Sequence, residues 1–195
     1  LSHIVVMGMG EPMLNLDALR EAVSIFTDPE GLGISKRRIT VSTSGILLGL
    51  KEFTDLGPDI RLAVSLTTAD SELRDQLMPI SKANPLPELK NALLYYQKKR
   101  KKRITLEAVL MKGINTRSED AKAMAAFAKG LDVVINLIPW NPVDGLGLNG
   151  IAFSEPSRRE VERFSTELEQ RGLNVTLRLK KGRTVSGACG QLGSL

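Results

Sequence analysis

The sequence predicts an α/β fold built on a parallel sheet with helices packed outside it. Three observations carry that expectation. Short β-branched apolar runs alternate with amphipathic helical patterns along the whole chain. Several runs are near-continuously apolar, as strands covered on both faces are. Most runs also end in glycine or small polar residues, and in barrels and open α/β sheets that end of the strands holds the ligand. An open doubly wound sheet and a piece of a (β/α) barrel both fit this pattern.

The elements follow in order. Ile4 to Met7 reads as a strand. Leu16, Leu19, Val23 and Phe26 recur at helical spacing and make one helix face, with Asn15 or Asp17 near the N-cap. Arg38 to Ser42 is the second strand, and Ile46 to Leu56 a helix closed by Gly57-Pro58. Arg61 to Leu66 is the third strand. Ser71 to Leu77 is a short helix, and Leu86, Leu89, Leu93 and Tyr96 mark a longer one. Ile104 to Met111 is the fourth strand, Ser118 to Lys129 an alanine-rich helix, and Val133 to Ile138 the fifth strand. Val143 to Ser157, rich in glycine and polar residues, reads as a long loop. Val161, Phe164 and Leu168 form a last helix face stopped by Gly172, and Leu173 to Leu179 a final strand.

Composition narrows the function. The 195 residues suit one domain, or one domain with an appendage. No apolar run approaches the ~18 residues of a transmembrane helix, so no membrane partner is expected. The net charge of +5 permits a nucleic-acid partner without requiring one. Aromatic residues, at 4%, are too few for a single-strand binder built on many stacking platforms. One cysteine, Cys189, and one histidine, His3, cannot build a zinc site or hold an iron–sulfur cluster, so no metal ligands are expected in this chain. With no secretory signal pattern, a reducing cytoplasm is the expected compartment. The chain opens Leu1-Ser2-His3 without a methionine and enters an apolar run at once, which is expected of a piece of a longer protein.

Gly8-Met9-Gly10-Glu11-Pro12 is the sharpest local signal. Its glycines let backbone approach a ligand closely, and Glu11 offers a carboxylate acceptor to a cationic group. It is neither a dinucleotide fingerprint, lacking the third glycine, nor a phosphate-binding loop, lacking Gly-Lys-Ser/Thr. Lys98 to Arg103 is an unbroken basic run, and Lys36 to Arg38 and Arg178 to Arg183 are further basic clusters. Each is either a solvated face or a phosphate-contacting patch. Cys189 lies between small residues in a glycine-rich tail, where it is either inert or an accessible nucleophile.

Four motifs in this order carry a family resemblance: Gly-Met-Gly-Glu-Pro after a strand, Ser-Lys-Arg-Arg-Ile-Thr-Val-Ser-Thr-Ser-Gly at 35–45, Ile-Asn-Leu-Ile-Pro-Trp-Asn-Pro at 135–142, and Ala-Cys-Gly-Gln-Leu at 188–192. Over nearly its whole length the chain resembles the radical S-adenosylmethionine (SAM) RNA methyltransferases. These methylate carbon 2 of an adenine in 23S ribosomal RNA and in some transfer RNAs. A relative methylating carbon 8 shares much of the pattern.

The resemblance implies an incomplete (β/α) barrel opening toward SAM, with Cys189 as the methyl-accepting catalytic residue. It implies SAM contacts at Gly10, Glu11, Ser42, Ser65, Leu66, Thr67 and Asn141. Thr67 stands where the family has a histidine. It also implies a [4Fe–4S] cluster on a Cys-x-x-x-Cys-x-x-Cys loop, a second catalytic cysteine and an accessory domain, none of them present in residues 1–195. The expectation is therefore the C-terminal part of such an enzyme, inactive by itself and self-associating through an uncovered sheet edge. Ribosomal RNA and transfer RNA are the implied partners. Another radical SAM enzyme and a non-catalytic RNA-binding module are the competing readings. The tail cysteine argues against the first, and SAM binding would exclude the second.

Overall fold

The computed structural model describes residues 2–141 and 145–178. Strands and helices alternate along it: β1 (Ile4–Val6), α1 (Leu16–Thr27), β2 (Ile39–Thr43), α2 (Leu47–Leu56), β3 (Arg61–Ser65), α3 (Ser71–Leu77), α4 (Leu86–Arg100), β4 (Ile104–Leu110), α5 (Ser118–Ala128), β5 (Val133–Pro139), β6 (Gly147–Leu148), β7 (Ile151–Ala152), α6 (Arg158–Glu169) and β8 (Asn174–Leu177). Six strands form one sheet in the order β1-β2-β3-β4-β5-β8. β1 on β2, β2 on β3 and β5 on β8 are parallel pairs. The expected α/β class is the one observed.

Three expectations need correction. Arg38 does not belong to β2 but closes a short 3-10 turn, Lys36–Arg38, that turns the chain into the strand. The stretch from 143 to 157 is not wholly loop: Gly147–Leu148 and Ile151–Ala152 pair as a small antiparallel hairpin, turned by Asn149 and Gly150 at positive φ. With two residues per strand, this hairpin is too short for alternation to reveal. The final strand begins at Asn174, one residue later than expected, because Leu173 is used in ending α6. There Gly172, at φ +81, donates its N–H to Glu169 and Leu173 donates to Leu168, the bond pair of a glycine helix stop.

The residues fall into two compact units. The first contains the chain up to Ser65 with Ile80–Thr105 and Gly130–Asp132. In β2, Ile39, Val41 and Thr43 are buried while Thr40 and Ser42, pointing the other way, are partly open. Leu50 and Phe53 of α2 and Leu89, Leu93 and Tyr96 of α4 close this core, with the Phe53 and Tyr96 rings stacked at 6.1 Å. Two contacts fix the start of α2. Ile46 offers no capping side chain, so Asn84 accepts the Leu47 N–H at 2.8 Å instead. One turn on, Gly49 lies so close to the Pro12–Leu14 turn that an added Cβ would sit 2.0 Å from the Met13 carbonyl oxygen.

The basic run Lys98–Arg103 also belongs to this unit. Arg100 donates from Nε to the Thr54 carbonyl and from one terminal nitrogen to those of Phe53 and Gly57, closing the C-terminus of α2. Lys102 pairs with Asp59 at 2.6 Å and Arg103 with Asp132 at 2.7 Å. Asp55 accepts from Lys99, Tyr95 and Lys51, and these bonds hold its carboxyl well below the usual carboxylate range. Asp59 and Gly57 immediately precede β3, so the run is gathered at the end of that strand opposite Ser65.

The second unit holds Leu66–Pro79, Leu106–Lys129 and the residues from Val133 onward. Leu106, Ala108 and Leu110 of β4 and Ile135 and Leu137 of β5 are buried, as are Ala121 and Met124 of α5 and Val161, Phe164 and Leu168 of α6. At the start of α5 the Asp120 carboxylate accepts from the Arg117 main-chain N–H and guanidinium, and at the start of α6 Ser157 and Glu160 bond each other reciprocally.

Candidate functional site

In the first unit the parallel register brings three strand ends to one edge of the sheet: Gly8–Glu11 after β1, Ser42–Gly45 closing β2, and Ser65 ending β3. Glu11 is the centre of this edge. Its Oε1 accepts the Met13 N–H at 3.0 Å and the Thr43 hydroxyl at 2.7 Å. Its Oε2 accepts the Ser44 N–H at 2.8 Å and the Ser44 hydroxyl at 2.6 Å. A carboxylate has about four acceptor positions, so these bonds match its capacity. Glu11 thereby caps the Pro12–Leu14 turn and ties the end of β1 to the end of β2.

The backbone leading into Glu11 is open. Gly8 and Gly10 have φ +139 and +93, and an added Cβ at either would meet nothing within 4 Å. Positive φ favours glycine here, and the space beside it lets another molecule reach the main chain. Gly10 is exposed and Glu11 partly so. Ser42 faces away from Val41 and Thr43 and is paired in register with Ala63. An open main chain steadied by a fixed carboxylate leaves room for the polar end of a small ligand.

In the second unit, Leu66 and Thr67 form the turn that leaves β3. Both N–H groups donate to the Glu107 carbonyl at 2.9 Å. Leu66 is fully buried and Thr67 is 8% exposed with φ +60. Their backbone groups serve the protein itself. Asn141 is partly exposed and follows Trp140, whose N–H donates to the Leu110 carbonyl at 2.9 Å. Trp140 packs edge-on against Phe153 at 5.3 Å. On the sheet, Asn136 donates to Glu107 Oε1 at 3.5 Å and accepts from the Thr176 hydroxyl at 3.2 Å.

Cys189 lies outside the described residues, as does the Arg178–Arg183 cluster apart from Arg178. Sequence reasoning singled out Ser42 but passed over Thr43 and Ser44, which bond Glu11 directly. The hydroxyl run Ser42-Thr43-Ser44 was their signal. A cysteine-held cluster does not fit this chain's own residues. The sequence has one cysteine, and among the described residues no three His, Cys, Asp or Glu side chains gather to hold a metal.

Comparison with known proteins agrees with this geometry. The profile of the radical SAM superfamily matches residues 2–127. A probable dual-specificity RNA methyltransferase RlmN of Treponema denticola is 55% identical over 194 residues, covering 100% of this chain and 54% of that protein. The corresponding protein of Treponema pallidum is 47% identical over 193 residues, covering 99% and 55%. The chain thus spans about half the length of these curated relatives. The crystal structure of a radical SAM methyltransferase from Sphaerobacter thermophilus superposes with a TM-score of 0.91 at 37% identity, over 98% of this chain and 55% of that one. A domain of a pyruvate-formate lyase-activating enzyme from Bacteroides vulgatus gives 0.64 at 18% identity over 92% of this chain and 100% of that domain, and shows the fold alone. The strand order, the Glu11-centred edge and the match over residues 2–127 agree: the chain belongs to the radical SAM superfamily.

Proposed function

We propose that this chain is the SAM-receiving and methyl-accepting part of an RNA methyltransferase that acts on carbon 2 of adenine, in 23S ribosomal RNA and in transfer RNA. The observation that carries the reading is the reach of the similarity. Identity of 55% extends over 100% of the chain, to a protein described as a dual-specificity RNA methyltransferase. Cys189 in Ala-Cys-Gly-Gln-Leu supplies the thiol that methylation through sulfur requires.

In this reading the exposed main chain from Gly8 to Gly10 receives the methionyl end of SAM. Glu11 fixes the position of that main chain and contributes its charge toward the SAM ammonium. By the family resemblance, Ser42 and Ser65 contact SAM from the first unit, and Leu66, Thr67 and Asn141 contact it from the second. Cys189 would lose its thiol proton and form the Sγ–CH3 bond by displacement on the SAM methyl group, with the sulfonium–methyl bond breaking and S-adenosylhomocysteine leaving. Adenine carbon 2 is not nucleophilic, so transfer onward needs the radical chemistry that SAM supplies when bound with an iron–sulfur cluster, whose ligands this chain does not provide. The base must be unstacked to reach the site.

The basic run is not assigned to RNA, because Lys99, Arg100, Lys102 and Arg103 bond the protein itself. The test is nucleoside mass spectrometry of ribosomal and transfer RNA from cells whose copy of the gene is deleted and then restored. The reading expects 2-methyladenosine to vanish and return. Loss of 8-methyladenosine instead, or no change in either nucleoside, contradicts it.

A further inference from the structure

Thr67 is a β-branched residue at φ +60 in a turn where nothing in the sequence demands strain. The Thr68 N–H donates back to the Leu66 carbonyl at 2.7 Å, so Leu66–Thr68 is a three-residue γ-turn centred on Thr67. With positive φ at its centre, it is the rarer and more strained of the two γ-turn forms. Such strain persists only where the surroundings over-determine it.

The surroundings here are specific. Leu66 and Thr67 donate to the Glu107 carbonyl, Arg74 Nε donates to the Leu66 carbonyl at 3.3 Å, and Asn115 Nδ2 donates to the Thr67 carbonyl at 3.0 Å. Asn115 is 1% exposed. It also donates to the Val109 carbonyl at 2.8 Å and accepts the Met111 N–H at 2.8 Å, so its own position is locked to the end of β4. The two groups flanking the strained bond pair, the Thr67 N–H and C=O, are thus both anchored to β4 and the segment after it.

We propose that Asn115 is a positioning residue for SAM: it holds the strained turn in the shape that receives the ligand, from a buried place that the ligand does not reach. The proposal rests on the reading of Ser65–Thr67 as part of the SAM site. Without the Asn115 bond the turn relaxes to an ordinary conformation, and the wall formed by Thr67 moves. Glycine at 67 adopts positive φ without strain and so has little need of the clamp.

Asn115→Ala, Thr67→Gly and the double variant are compared with the wild type by two readouts. One is amide hydrogen exchange at Leu66, Thr67 and Thr68 without ligand; the other is calorimetric titration with SAM. In Asn115→Ala the turn amides exchange about tenfold faster and SAM binds about tenfold more weakly, while amides of α6 stay protected. In the double variant the turn amides return to within about threefold of the wild type, and SAM binds as it does to Thr67→Gly alone, because the loss of the Thr67 side chain is common to both. A double variant no better than Asn115→Ala overturns the proposal, because a merely structural asparagine is not rescued by a glycine at 67. Unchanged turn amides in Asn115→Ala overturn it too. Should Asn115→Ala fail to fold, Thr67→Gly alone decides: a raised unfolding midpoint supports a strained turn, and a lowered one refutes it. If exchange responds as expected but the wild type takes no SAM at millimolar concentration, the turn is clamped for another purpose. The SAM reading then falls, and the proposed role with it.

Discussion

Replacing Gly49 by alanine should destabilise the first unit, although the same change in an open helix would gain about 1 kcal/mol. The new Cβ would lie 2.0 Å from the Met13 carbonyl oxygen, 2.6 Å from Met13 Cβ and 2.7 Å from the Met13 carbonyl carbon. Carbon contacts of this kind settle at roughly 3.5 Å, so α2 must retreat by about 1 Å or more. Overpacking costs about 1–3 kcal/mol, and the upper part applies because the obstacle is backbone, which cannot swing away. After the helix-propensity gain, a net loss of about 2 kcal/mol remains, or a midpoint drop of roughly 4–8 °C for a chain of this size. Gly31→Ala is the control, since its nearest neighbour, Asp28 Cβ, is at an ordinary 3.5 Å. Thermal unfolding by circular dichroism reads both. SAM affinity should fall with Gly49→Ala, because Met13 N–H bonds Glu11. A Gly49→Ala midpoint equal to or above the wild type would show that α2 does not seat the Glu11 turn.

Glu11→Gln puts an amide where Thr43, Ser44 and Met13 all donate. It should cost about 1–3 kcal/mol of stability and weaken SAM binding at least tenfold; unaltered calorimetric affinity contradicts the assignment. Arg100→Ala leaves the Phe53, Thr54 and Gly57 carbonyls without their donor and should lower the midpoint measurably. Lys98→Gln with Lys101→Gln should leave both the midpoint and the salt dependence of RNA binding unchanged, and a flattened salt slope would return the run to RNA contact. Burial pushes the Tyr96 hydroxyl up to about 12. The unfolded tyrosine ionises near 10, so the folded state keeps its proton longer and stability falls as pH rises from about 10 to about 12, by roughly 2–3 kcal/mol. Tyr96→Phe should remove that alkaline loss in denaturant titrations at stepped pH; an unchanged pH profile argues against it.

Much of the fold was legible because its signals are local. Ile39, Val41 and the apolar run Leu62–Val64 are buried in the parallel sheet, and Leu89, Leu93 and Tyr96 face the core at helical spacing. Boundaries shifted where backbone hydrogen bonding, not side-chain pattern, decides, as at Arg38 and Leu173. The site was half legible. Gly8-Met9-Gly10-Glu11 announced itself by composition, but nothing in the sequence says that the Glu11 carboxylate would be met by Thr43 and Ser44, thirty-two and thirty-three residues away. The partners of the basic run could not be read from the sequence either. Its charge density suggests phosphate, while the carboxylates and carbonyls that take it up, Asp55, Asp59, Thr54 and Asp132, are remote in sequence and invisible to any local window. Thr67 was legible only as an unusual residue type; its positive φ and the Asn115 bond depend on tertiary contacts.

In the proposed function the sulfur of Cys189 carries the methyl group to adenine. The most direct measurement is peptide mass spectrometry of the protein as its cell makes it, paired with nucleoside analysis of RNA from cells carrying Cys189→Ala. The Cys189 peptide should gain the mass of one methyl group on sulfur, and Cys189→Ala should abolish 2-methyladenosine while SAM still binds. An unmodified Cys189 together with wild-type levels of 2-methyladenosine in the Cys189→Ala cells would contradict it.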